Sequence, residues 1–581
     1  MSAVFRQRLA AWIAVGVMIP GVSAASCDPV RTFADGRQPA REVFVSATGS
    51  DATGLGTRAQ PFATLGRAAA GLKPGDAVRL LPGTHAPGAF LGGAVGTAEA
   101  PIWIGGVPGE SRPVIAGGSQ AFHLVRARYV VIEHLEIAGA SQNGINCDDG
   151  GDYGNADAAR YLLFRDVHFR DVGSGGNQDG LKLSGVNDYV VHDCEFVRIS
   201  AGGSGIDHVG CHRGRIVGCR FTDLGGNAIQ CKGGSEDIDI ARCQFHNAGA
   251  RAITLGGSTG FTYFRPPLSP TQPNAESRNI RVMANLFRGS DAPVAFVGTV
   301  GSCVANNTIL EPRRWVMRIL QETVSAAPYA FLPCASNRFV NNLVFFERGR
   351  ISTFVNIGPN TDPGTFGFAN NLWYAFDAPG QSRPSLPAPE SNAVVGRDPL
   401  LIQSNTEDAS LAPESPAVGA GLAPAPARAD LLEQCYADPP TIGAWEARPS
   451  DPPRADTDGD SMPDDWELAH DLDPGNAGDA LGDPDADGVS NRDEFTADTD
   501  PRDPASSFRI PPPLRRAGGV VVVCPTRLGR VYSCEQRAWT APAAWTPVGS
   551  GTGDGTDREL TPPLMEAVGG LLRVRVELAP R

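Results

Sequence analysis

Beyond about residue 25 no stretch of the 581-residue chain is long and apolar enough to cross a membrane as a helix. No long basic run occurs anywhere. The first absence sets a helical membrane protein aside; the second, with an acidic balance, sets nucleic acid aside as a partner. The one long apolar run, LAAWIAVGVMIPGV, follows Arg6 and Arg8 and precedes VSAAS, the layout of a secretory signal peptide over residues 1–25. Without those two arginines, 48 basic residues face 64 acidic ones, a net charge of −16. An acidic polymer therefore needs a local cationic groove or bridging metal ions. The expected setting is secreted or periplasmic, where the 12 cysteines are able to pair. Cys27 follows AAS as an acylated cysteine does, but Ala24 stands where lipoprotein signals carry Leu, so no lipid anchor is expected.

What the chain has is repetition. DGLKLSG (179–185), SGIDHVG (204–210), NAIQCKG (227–233) and RAITLGG (251–257) align so that Leu181, Ile206, Ile229 and Ile253 recur at intervals of 25, 23 and 24 residues. NGINCDD (143–149) fits the same frame. A second strand set interleaves: HDCEFV, VGCRFT and ARCQFH, then MANLFR, ANNTIL, VNNLVF and ANNLWY. Cys194, Cys219 and Cys243 hold the place later taken by Asn285, Asn307, Asn342 and Asn371. One small or polar residue per repeat suits a bend where coils stack about 4.8 Å apart and asparagine amides satisfy one another. A single repeat cannot bury its own apolar face, so stacking makes the core.

The pattern resembles the right-handed parallel β-helix of pectate-lyase-like proteins over residues 40–446, which implies an all-β fold. The stretch VFVSATGSDATGLGTRAQPFATLGRAAAGLKPGDAVRLLPGTH is similar to the entry of secreted β-helices: a strand, a short amphipathic helix over the open end, then the first coil. LAPESPAVGAG and TIGAWE resemble closing strands. The fold alone does not set the function.

After the Pro-rich SDPPRAD, residues 455–503 turn acidic. DPDADGVSNRDE puts Asp483, Asp485, Asp487, Gly488, Asn491 and Glu494 at positions 1, 3, 5, 6, 9 and 12 of a calcium loop. DTDGDSMPDDWE offers Asp456, Asp458, Asp460, Asp464 and Glu467, with Ser461 where the turn glycine is expected, so the weaker site is expected here. Oxygen-only ligands favour Ca²⁺ over transition metals. The segment resembles thrombospondin type 3 or dockerin-like calcium repeats, which implies structural Ca²⁺. Residues 505–581 read as a small β-rich accessory module, with Cys524 and Cys534 placed to staple one hairpin.

Within each aligned strand the Leu/Ile anchor points inward and alternate residues point out. Asn146, Lys182, Asp207, Gln230 and Thr254 form one outward column; Asp148, Ser184, Val209, Lys232 and Gly256 form a second. Lys182, Asp207, Gln230 and Lys232 therefore share a patch. A groove along the coil suits an extended polysaccharide. On a uronate polymer, β-elimination needs a base at the proton beside the carboxylate and a cation on that carboxylate. Lysine serves as base where burial or a neighbouring cation lowers its pKa, and Lys182 is the residue expected either to be that neighbour for Lys232 or to bind the carboxylate. At AIQCKG the sequence resembles the alginate lyases and chondroitinase B of the β-helix type, which implies Lys232 as base. Those enzymes carry an arginine where Gly256 stands here. Arg251 lies at the strand's other end, about 16 Å from Lys232 by strand rise.

NCDDGGD, with Asp148, Asp149 and Asp152, is similar to the DDGFD calcium site of a β-helix pectate lyase family, which implies Ca²⁺ at the groove as well. Paired Asp148 and Asp149 also suit the acid and base of a glycoside hydrolase, but the His-Gly and Arg-Ile-Lys signatures of polygalacturonases are missing. RRWVMRILQET (313–323) adds Arg318 to the candidate substrate contacts. His208 and Cys231 fall on the inward column, where a satisfied core pair is expected. The expectation is a lyase on an acidic polysaccharide: Lys232, Lys182, Asp207 and Gln230 do the chemistry, and Asn146, Asp148, Asp149, Arg251 and Arg318 bind substrate. A non-catalytic glycan-binding protein, for instance on a cell surface, and a hydrolase are the alternatives.

Overall fold

The structure, a computed structural model, describes residues 27–402, 409–447, 456–506 and 508–510, and segments within 514–578. The expected signal peptide lies outside the described residues. Among them, no helix is long and apolar enough to cross a membrane.

The chain winds into a right-handed parallel β-helix. One ten-stranded sheet runs from Ala89–Gly92 to Val355–Ile357. The other strands of the coil form a 26-stranded ladder that continues through a bend, because strands such as Arg128–Ala138 and Ala159–Arg170 span it. All pairings along the coil are parallel, and Ile145, Leu181, Ile206, Ile229 and Ile253 are successive register partners, as the repeat predicts. Each is fully buried.

The bend recurs because one residue per coil takes a left-handed backbone. Asp193, Gly218, Arg242, Ala284, Asn306, Asn341 and Asn370 have φ between 49° and 67°. Each precedes the cysteine or asparagine of the predicted stack. That stack is a ladder: Asn285 Nδ2 donates to Asn307 Oδ1 (2.9 Å), Asn307 Nδ2 to Asn342 Oδ1 (2.9 Å) and Asn342 Nδ2 to Asn371 Oδ1 (3.0 Å). Beside it Phe169, Phe196, Phe221, Phe245 and Phe287 stack with centroids 4.7 to 4.9 Å apart, the coil spacing itself.

At the entry, strand Arg41–Val45 leads to helix Leu65–Ala69, capped by Thr64 and burying Leu65 and Ala68 over the first coil. At the exit the expected closing strands do not form. Residues 409–447 hold turns and isolated bridges, yet Leu411, Ala417, Ile442 and Trp445 pack on the last coils. Prolines at 413, 416, 424, 426, 439 and 440 leave too few consecutive N–H donors for a ladder.

A segment before the first strand straps the outside of the coil. Asp28 pairs with Arg215 (2.6 Å) and Arg242 (3.4 Å), Phe33 meets Tyr129 edge-on, and Ala34 packs among Ala77, Trp103, Val131 and Leu163. Cys27 is disulfide-bonded to Cys435, 408 residues away. Further on, helices Asp464–Ala469 and Asn491–Ala497 belong to the acidic loops. Antiparallel strands form two three-stranded sheets beyond them. Cys524 and Cys534 lie on different sheets and do not staple one hairpin.

Candidate functional site

Register in the ten-stranded sheet aligns Asn146, Lys182, Asp207, Gln230 and Thr254 as one outward column, and Asp148, Ser184, Val209 and Lys232 as the next. The first column extends to His123 on one side and through Ala295 to Arg318 on the other. Lysine occurs three times in the chain, and two of the three meet here.

Lys182 Nζ is in direct contact with Asp207 Oδ2 and lies 3.2 Å from Asp179 Oδ2. Lys232 Nζ is 3.2 Å from Asp207 Oδ1, a charge contact without hydrogen-bond alignment, and donates to Gln230 Oε1 at 3.2 Å. The Asp207 side chain is 0% exposed, that of Lys182 16% and that of Lys232 11%, so the carboxylate is sealed beneath two lysines that are each partly exposed. Burial pulls the Lys182 ammonium down, but the Asp207 and Asp179 carboxylates outweigh it and hold the pKa above the ordinary lysine value. Burial pushes Asp207 up, and the two lysines overcome it to hold Asp207 below the usual carboxylate range. Asp179 is pushed up to about 6 by burial and then by Asp207.

This bears on one of the two roles expected of Lys182. It does not face Lys232 as a bare neighbouring cation, because the Asp207 carboxylate stands between the two amines. Asp179, which the sequence reading missed, is the fourth member; it lies three residues before Lys182 in DGLKLSG, and Ser204 N donates to its second oxygen at 2.8 Å.

At the flank towards the entry, His123 Nε2 lies 2.5 Å from Asp148 Oδ2 and 2.8 Å from Asn146 Nδ2. Asp148 is accessible at 21% of its side chain. Asp149 is not available as expected: it is buried, and Arg265 clamps both its oxygens at 2.7 and 3.3 Å while stacking on Tyr153. With Asp149 committed, no Asp148/Asp149 acid–base pair exists. Among the described residues, the groups that could hold a metal do not include Asp148, Asp149 and Asp152.

Arg265 arrives on a long loop, residues 257–276, fastened beside Lys232. Gly233 N and Thr259 N each donate to the buried Glu276 carboxylate at 2.8 Å, and Arg265 N donates to Gly233 O. The loop seats closely: a Cβ at Gly210 would lie 2.3 Å from that of Arg265. Gly256, the expected arginine position, has φ +98°, and a Cβ there would lie 1.8 Å from Val297 O. No side chain fits that backbone. At the far flank Arg251 pairs with Glu322 (2.8 Å), and Arg318 bonds Asn356 and stacks on Trp315. Arg318 lies three coils from Gln230, about 14 Å, outside the lysine patch.

Inside the coil His208 accompanies Cys231 as a core pair, with Sγ 3.7 Å from Nδ1. His208 Nδ1 also lies 2.9 Å from Gln230 O, and burial pushes its pKa down to about 4.

In the acidic segment, Asp456, Asp458 and Asp460 converge, as do Asp483, Asp485 and Asp487. Glu467 and Glu494 are fully buried. Both Glu467 oxygens and one oxygen each of Asp458, Asp460, Asp485, Asp487 and Glu494 are buried without a protein partner. Oxygen donors left bare in this number fit a hard divalent cation such as Ca²⁺. Asp464 departs from the expected ligand set: its two oxygens accept from Thr457 N (2.7 Å) and Thr457 Oγ1 (2.6 Å).

Residues 114–265 match the family described as a right handed beta helix region. Among solved structures, the chain is similar to the pectate lyase Pel9A at 16% identity, covering 71% of this chain and 98% of that one with a TM-score of 0.44. It is also similar to a rhamnogalacturonan lyase (16%, 57% and 87%, TM-score 0.42). A third is a GH136 lacto-N-biosidase from Eubacterium ramulus (15%, 61% and 68%, TM-score 0.41). No curated protein matches the chain. Likenesses this distant carry no argument about the chemistry.

Proposed function

We propose that the chain is a secreted or periplasmic lyase that cleaves a uronate-containing polysaccharide by β-elimination. The observation that carries this is the pair of amines, Lys182 and Lys232, raised from a buried Asp207 on the outward face of the coil. Lys182, held protonated by two carboxylates, is the fixed cation that takes the uronate carboxylate and the charge of the enolate. Lys232, bound only by an unaligned contact and by Gln230, is the amine able to turn to substrate. Acting as base, it takes the proton at C5; the C4–O4 bond then breaks, and that proton is available to the departing oxygen. Gln230 and Asp207 orient the two amines. Asn146 and Asp148 line one side of the cluster, while Arg251 and Arg318 serve sugars further along. The disulfide between Cys27 and Cys435 supports the extracytoplasmic setting. Calcium, in this reading, is structural and belongs to residues 455–503.

The test is incubation with pectate, alginate and chondroitin or dermatan sulfate, followed at about 235 nm for the unsaturated uronate. Lys232→Ala is expected to lose about 10²- to 10⁴-fold in rate while still folded by circular dichroism at the assay temperature. A lyase that keeps full activity in Lys232→Ala sinks the site; reducing ends without new absorbance sink the reaction class. The internal charge balance of the cluster favours one second reading, a glycan-binding scaffold, which predicts retention on these polymers without cleavage.

A further inference from the structure

The first acidic loop recruits a carboxylate from outside itself. With Asp464 turned back onto Thr457, its place is filled by Asp479, in the short turn Asp479–Leu481. Ligand oxygens of Asp460, Glu467 and Asp479 all lie within 4.8 Å of one another. The group is more than an acidic patch. Glu467 is fully buried with neither oxygen bonded, and Asp460 Oδ2 and Asp479 Oδ1 are also buried without a partner. Like charges buried this way need a cation among them.

Asp479 also touches the second loop. Its carbonyl accepts from Asn491 Nδ2 at 2.8 Å, and Asn491 N donates to Gly482 O at 2.8 Å. Asn491 begins the helix that carries Glu494, the last ligand of that loop. Among the described residues no carboxylate from outside joins Asp483, Asp485 and Asp487 in the same way, and the residue 12 beyond Glu494, as Asp479 is 12 beyond Glu467, is Ser506. One Glu494 oxygen is already taken by Thr499 Oγ1 at 3.0 Å. Ser461, expected to weaken the first loop, takes the same left-handed corner as Gly488, with φ 80° against 93°.

We infer that Asp479 is a ligand of the first divalent-cation site, makes it the tighter of the two, and couples it to the second through Asn491. This rests on the calcium reading of the repeats. The whole protein, stripped with a chelator, is titrated with CaCl₂ by calorimetry. Wild type is expected to show two classes of site. Asp479→Asn is expected to weaken the tighter class about ten-fold or more, since charge count sets affinity in such loops, and the other class about five-fold through the coupling. Asp464→Asn should leave both within about two-fold, and Glu494→Gln should remove only the weaker class. Circular dichroism at saturating calcium checks that each variant is folded. The proposal is overturned if Asp479→Asn leaves both constants unchanged, or if Asp464→Asn costs as much. Loss confined to the first class overturns the coupling. Wild type that takes up no calcium overturns the calcium reading itself, an outcome separable from the others because it needs no variant.

Discussion

The asparagines at the bend and the charged residues of the ten-stranded sheet are both stacks of polar side chains with little or no exposure, but they meet burial in different ways. In the ladder, Asn307 Oδ1 accepts from the N–H and the amide of Asn285, and its own amide reaches Val282 O, Ala305 O and Asn342 Oδ1. Identical groups satisfy one another coil after coil, so nothing is left for a ligand. In the cluster, two lysines share one carboxylate, one contact is unaligned, and both lysine side chains are partly exposed. A closed stack builds the coil; an incompletely closed one is where a substrate finds work.

The comparison is broken most forcefully at Asp207. Asp207→Ala strands the part-buried Lys232 ammonium, leaves Lys182 with Asp179 alone, and is expected to cost about 3–5 kcal/mol in urea unfolding, with activity lost. Asn307→Ala leaves the Asn285 N–H unpaired and is expected to cost about 1–3 kcal/mol, with polysaccharide turnover unchanged below the melting point. If Asn307→Ala lowers turnover as much as Asp207→Ala does, the separation of building stack from working stack is wrong.

The smallest effect is on pH. Asp179, raised to about 6, contributes stability that is full below its unfolded value near 4 and lost as pH rises through 6. His208, lowered to about 4, contributes stability that is full above its unfolded value near 6.5 and lost as pH falls to 4. Their slopes oppose each other across the same window. Asp179→Asn should therefore expose the His208 limb, and stability should fall more steeply with acid, approaching about 1.4 kcal/mol per pH unit. An unchanged slope would remove Asp179 from the buried cluster.

The coil, its register and both outward columns were legible because a buried anchor every 23 to 25 residues leaves one way to stack the strands. So was the asparagine ladder, since it recurs at one place in each turn. The rest depends on contacts between distant residues. Nothing in NCDDGGD announces that Arg265, 116 residues on, will close over Asp149. The loop spacing of DTDGDSMPDDWE gives Asp464 a role that a threonine hydroxyl takes away. Gly256 read as a missing arginine, while the reason, a carbonyl of the next coil against any Cβ, belongs to packing. Asp179 was in view but fell outside a strict alternation.

The strap over the outer ladder has its own consequence. Coils that touch only their neighbours form a column with two rims, and a column of this kind unravels from whichever rim frays first. Here the segment before the first strand runs back along the column to Asp28, and Cys27 is bonded to Cys435 in the segment that seals the last coils. The column becomes a ring: neither rim can peel away without drawing the other.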